Sequence, residues 1–150
     1  MLNKIAKMSA KGKLHVALYG PDGALKEERL VTNVVVDDGL DYIASRVKDA
    51  SATAMSHMAC GSNATAAAAG NTALGTELGR VALTSTTVTN ASVQYIGDFP
   101  AGTGTGAVVE AGILNASSGG TLLCRTVFAV VNKGAADTLK ITWTVTVADS

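Results

Sequence analysis

Aromatic residues supply only 4% of this 150-residue chain, and charged residues 16%, where about a quarter is usual. Twelve Lys and Arg balance twelve Asp and Glu, so the formal net charge is zero. A nucleic-acid binder needs surplus Lys and Arg to neutralise phosphates, and no surplus exists. No run reaches the 18 or more apolar residues of a membrane helix, because Thr, Gly, Lys or Asp interrupts each one. The basic start, Met1 to Met8, stops short of the apolar stretch a signal peptide needs, so folding in a cytoplasm is expected, with no membrane partner. Cys60 and Cys124 stand alone, without a CxxC pair, and read as free thiols packed in a core.

What is present is apolar and small. Hydrophobic residues make 47% of the chain, and Gly alone fills 16 positions, which argues against disorder. The length suits one domain. Charge is distributed unevenly along it. Residues 1–13 carry Lys4, Lys7, Lys11 and Lys13 with no acid, reading as an exposed basic arm available to an acidic neighbouring surface. From Ala50 to Val109 the charged residues are Glu77, Arg80 and Asp98. Monomers keep mixed charge outside for solubility, so part of this stretch is expected to be covered by another chain.

The pattern is mostly β. Leu14 to Tyr19 alternates, Gly20-Pro21-Asp22-Gly23 is a turn, and Leu25 to Val36 returns as a second strand. Asp37-Asp38-Gly39-Leu40-Asp41 opens a short helix over about residues 39–48, with acids at the positive end of its dipole and Arg46 and Lys48 at the other. Leu40, Ile43, Ala44 and Val47 form its predicted core stripe. Strands are predicted over 54–60, 80–89, 92–99, 108–114 and 122–131, with loops at 61–75 and at the glycine-rich 100–106. Leu139, Ile141, Trp143, Val145 and Val147 alternate with Thr138, Lys140, Thr142, Thr144 and Thr146, the mark of a half-buried strand. About eight strands with turns every 8–12 residues predict an all-β fold: an antiparallel β-sandwich or jelly roll over 14–150, preceded by the arm.

Chemistry is sparse. His15 and His57 read as structural, and strand alternation would send Ser56 and His57 to opposite faces, away from a nucleophile–base couple. A zinc site from His57, Cys60 and Cys124 lacks a fourth ligand. Gly102, Gly104 and Gly106 precede a strand, whereas a phosphate loop should open a helix. The pairs Glu27-Glu28 and Asp37-Asp38 are adjacent, unlike the facing acids of a glycosidase. No catalytic, cofactor or metal residue is therefore expected. Glu77 and Arg80, two of the three charges in sixty residues, either pair with each other or meet a neighbouring subunit.

The segment Gly70-Asn71-Thr72-Ala73-Leu74-Gly75-Thr76-Glu77-Leu78-Gly79-Arg80 resembles a G-x-T-x-L-x-x-E-L-x-R phrase of small β-rich structural proteins of tailed bacteriophages and prophages. Asn33 to Leu40, Glu110 to Asn115, Gly119 to Arg125 and Asp137 to Trp143 resemble the same group, so the likeness spans about residues 14–147. The resemblance implies a non-enzymatic virion structural protein, located on the capsid surface and assembled in the host cytoplasm. It would be a head decoration or cement protein that self-associates as a dimer or trimer and stabilises the shell of the major capsid protein. The alternative it implies is a tail-fibre or tail-tip domain binding a host receptor. Scarce aromatics make a sugar-binding platform hard to build there. Partner contacts are then expected at Lys4, Lys7, Lys11, Lys13, Glu77 and Arg80.

Overall fold

The computed structural model describes residues 8–48 and 52–149. In these, nine strands and one helix follow in the order β1 (Met8–Tyr19), β2 (Leu25–Val35), α1 (Asp37–Lys48), β3 (His57–Gly61), β4 (Glu77–Ala82), β5 (Ser85–Thr89), β6 (Ser92–Phe99), β7 (Gly106–Leu114), β8 (Leu122–Lys133) and β9 (Thr138–Asp149). All strand pairs are antiparallel, in the order β4-β3-β7-β8-β2-β1-β9-β6-β5. The expected β content is there, but its packing differs from a sandwich of separate sheets. One continuous sheet curls into a half-barrel. The halves are joined by a short pairing of β2 with β8, at Val34↔Arg125 and Val35↔Cys124. It is the shortest strand pairing among the described residues.

The halves then face each other across one core. From β1, β6 and β9 come Leu14, Val16, Phe99, Ile141 and Trp143; from β3, β7 and β8 come Met58, Ile113 and Phe128. The strict alternation of β9 is realised, with Leu139, Ile141, Trp143 and Val145 all buried. Gly97 on β6 leaves room for Met58, whose Sδ would lie 2.8 Å from any Cβ added there. Burial at about 25 cal/mol per Å² of apolar surface is the main force holding the halves together.

Three expectations need correction. First, the basic arm is shorter than residues 1–13, because β1 begins at Met8 and pairs with β9 from Met8↔Asp149 through Lys13↔Thr144. In phase with buried Leu14 along this stretch stand Gly12, buried, Ala10, half-buried, and Met8, exposed, so small residues conceal the alternation. Gly12 is required by packing, since a Cβ there would collide with the Asn33 side chain, whose Oδ1 accepts the Trp143 Nε1–H at 3.0 Å. Second, α1 is rotated from its predicted phase. Leu40 is 46% exposed, Val47 84% exposed and Ala44 exposed, whereas Gly39 is buried and Tyr42 and Ile43 pack on the core. Gly39 lies against the Leu123 carbonyl, a close backbone approach that hydrophobic periodicity cannot register. Third, the single strand predicted over 80–89 is two strands, β4 and β5, at opposite ends of the sheet order. Leu83 and Thr84 make the crossing, with Leu83 N–H bonded to Ser56 O and Thr84 N–H to Ile96 O, both at 2.8 Å.

Candidate functional site

The outer face of the β3-β7-β8 half is itself apolar. Ala59, Leu114 and Leu122 pack there with Val36 and Leu74 in a second small cluster. Its cover is the loop 62–76, part of the charge-poor stretch. A Cβ on Gly112 would stand 2.5 Å from Leu74 Cδ1, and one on Gly61 would strike Thr76 O, so these two glycines let the loop lie directly on the strands. The lack of charge on the loop's inner side is thereby explained within the chain.

What fastens the loop is a buried ion pair. Glu110 and Arg125 are 0% and 2% exposed, on β7 and β8, with Nη2 and Oε2 2.8 Å apart. The Glu110 carboxylate also accepts backbone N–H bonds from Asn63 (3.2 Å), Gly75 (3.0 Å) and Thr76 (2.8 Å). Arg125 donates to Asn71 Oδ1 at 3.1 Å and to the carbonyls of Asn63 and Thr65 at 3.4 and 3.0 Å. Both charges are therefore solvated by the loop itself, as a buried pair must be to repay desolvation. Sequence reasoning assigned no role to either residue. The available signal was one acid within Val-Val-Glu-Ala-Gly-Ile and one base within Leu-Cys-Arg-Thr-Val, each a lone charge in an apolar strand.

The predicted partner residues fall in three places. Lys4 and Lys7 lie outside the described residues. Lys11 and Lys13 are exposed on β1, on its outer face beside Thr146 and Thr144 of β9. Glu77 and Arg80 pair with each other, Arg80 Nη2 lying 2.7 Å from Glu77 Oε1. A regular strand would send residues three apart to opposite faces; the register shift between Cys60 and Gly61 brings these two together. Arg80 also donates to Ala116 O and Gly119 O, both at 2.9 Å, clamping the β7–β8 turn. Its side chain is thus occupied within the chain, while Glu77 stays partly open to solvent.

At the opposite end Lys26 Nζ lies 2.9 Å from Asp137 Oδ2, Gly134 N–H bonds the same oxygen at 2.8 Å, and Lys133 Nζ donates to Pro100 O at 3.0 Å. The Lys26 and Gly134 bonds hold the Asp137 carboxyl below its usual range, and burial lowers the Lys133 ammonium. Burial pushes the Cys60 thiol up to about 12 and the Cys124 thiol well above its usual value, so neither is a reactive thiolate. Both are free, as expected.

Ser56 and His57 depart from expectation. Ser56 Oγ lies 2.8 Å from His57 Nδ1, because Ser56 precedes β3 and escapes its alternation. Among the described residues no third group orients the imidazole. Among them also, no three His, Cys, Asp or Glu cluster as metal ligands, and no helix is long and apolar enough to cross a membrane. An apolar groove of about 350 Å³ lies between α1 and the β5-β6-β9 edge, lined by Tyr42, Ile43, Val88, Val93, Tyr95 and Val145. No known protein family, curated protein or solved structure matches the chain.

Proposed function

We propose that this chain is a virion structural protein of a tailed phage, a decoration or cement protein that coats the major capsid protein shell and works by surface complementarity. The observation that carries the reading is a large uncharged exterior held rigid from within. The outward side of loop 62–76, where Ala64, Ala66, Ala68, Ala69, Thr72 and Ala73 are exposed, has no charge and is anchored by Glu110 and Arg125. A rigid uncharged patch suits the centre of a protein–protein interface, where charge is depleted and little ordering entropy is lost on binding. Exposed Lys11 and Lys13 supply a basic margin for an acidic neighbour. The tail-fibre alternative draws little support from the aromatics, since Trp143, Tyr95, Phe99 and Phe128 are buried and the half-buried Tyr19 and Tyr42 line separate hollows.

The test is made on particles. Heads gently stripped of this protein should lose resistance to heat and osmotic shock and regain it when the protein is added back; unchanged resistance would sink the cement reading. Copy number separates the two virion roles, with hundreds per particle for a shell protein and a dozen or fewer for a tail component.

A further inference from the structure

The half-barrel has two open edges, and they are treated differently. Along β4 the glycine-rich loop packs on the face of the strand, where a Cβ on Gly79 would stand 2.7 Å from Gly104 N and 3.3 Å from Thr103 Cγ2. The same strand carries the Glu77–Arg80 pair. β5, Ser85-Thr86-Thr87-Val88-Thr89, pairs only with β6 and is exposed at all five residues. Among the described residues it has none of the devices that normally blunt an edge: no Lys, no Pro, no covering loop. Nor is any residue from Val81 to Gly97 charged.

The β5–β6 hairpin closes through Asn90 and Ala91 between the paired Thr89 and Ser92, with the positive φ at Asn90 (54°) that two-residue primed turns require. In such a ladder alternate residues bond inward, so Thr87 and Thr89 bond to β6 while Thr86 and Val88 turn N–H and C=O to the free edge. An antiparallel copy of β5 rotated about a two-fold axis at Thr87 sets Thr86 opposite Val88 of the other copy, and the four free groups of each strand meet four complementary ones. No like charges meet. The side chains of Thr86 and Val88 also line the apolar groove, and the same axis places both grooves side by side on one side of the joined sheet. The contact therefore extends beyond a five-residue strand.

We propose that two copies of this chain associate through β5, centred on Thr87, to form one continuous sheet across a two-fold axis. The inference rests on the assembly reading above in taking a second copy as the occupant, and it requires no capsid. Light scattering should give a particle of twice the 15.1 kDa chain mass, and Val88→Lys should return it to a single-chain mass while the chain still unfolds in one cooperative transition, Val88 being 70% exposed. Thr87→Cys should cross-link under mild oxidation, since the Cα atoms of a non-hydrogen-bonded pair stand about 4.5 Å apart, within disulfide range. Thr89→Cys should not, because the two copies of that position lie about 13 Å apart along the strands. A single-chain or threefold mass for the unaltered protein, a doubled mass that survives Val88→Lys, or equal cross-linking of both cysteine variants would each overturn the proposal. A single-chain protein that still coats shells would overturn this dimer alone; a β5 dimer that never binds shells would overturn the virion reading alone.

Discussion

Replacing either member of the Glu110–Arg125 pair tests what holds loop 62–76 in place. Breaking a buried ion pair by removing one partner costs about 3–5 kcal/mol, a large fraction of the about 5–15 kcal/mol that stabilises a domain. The two members are not equivalent. In Arg125→Met the carboxylate keeps its three backbone N–H bonds from Asn63, Gly75 and Thr76, so the loss should fall near 3 kcal/mol. In Glu110→Leu those three donors lose their acceptor, at about 1–3 kcal/mol for each left unsatisfied, and Arg125 keeps only its neutral partners, so the loss should reach 5 kcal/mol or about that. Apolar replacement of both residues, which often restores stability at a buried pair, should not do so here, because the backbone donors remain unpaired. Urea unfolding followed by Trp143 fluorescence measures the losses. Elastase, which cuts beside small residues, should cleave within Ala66–Ala69 of the Glu110 variant well before the fold melts. Equal losses in the two single variants, or recovery in the double, would refute the view that Glu110 acts mainly as an acceptor for the loop.

Trp143→Ala removes a fully buried ring and should cost about 3–5 kcal/mol in urea unfolding; a loss near zero would place the ring on a surface. Gly12→Ala should displace Asn33 from Trp143 Nε1 and lower stability by about 1–3 kcal/mol, detectable as a fall in melting temperature. Asp137, with its carboxyl pKa lowered in the folded state, contributes stability present above the unfolded value of 3.8 and lost as pH falls through the folded one. The melting temperature should accordingly drop below about pH 4, and Asp137→Asn should flatten that acid limb. Cys60 and Cys124 should resist alkylation at pH 8 until the protein unfolds, so that modification follows denaturant.

Much of the sheet was legible: β9 reads directly from the alternation of Leu139, Ile141, Trp143 and Val145, and the strand expected over 92–99 is β6. The misjudged segments are those where glycine or another small residue replaces an apolar one. Gly12 and Ala10 hide the first half of β1, and Gly39 hides the buried face of α1, because hydrophobic patterns count side chains and these positions work by having almost none. The Leu83–Thr84 crossing was invisible for another reason, since it depends on bonds to Ser56 and Ile96, both remote in sequence. At the candidate site the pairing of Glu77 with Arg80 was anticipated among the alternatives. The Glu110–Arg125 anchor was not, because its donors come from a loop that sequence reading could describe only as small and uncharged. Alternation also misled at Ser56, which stands just outside the strand whose rule was applied to it.

The pairing of Met8 with Asp149 has a mechanical side. β1 and β9 run antiparallel with residues 8 and 149 at the same end of their shared ladder. A pull applied at those two positions would part the strands like a zip, straining one rung at a time, where opposite-end loading would shear all rungs together. Tension entering through residues 8 and 149 would therefore meet little resistance. Any load this protein bears is better transmitted through its flanks, across the anchored loop and the sheet edge, than through the Met8–Asp149 rung.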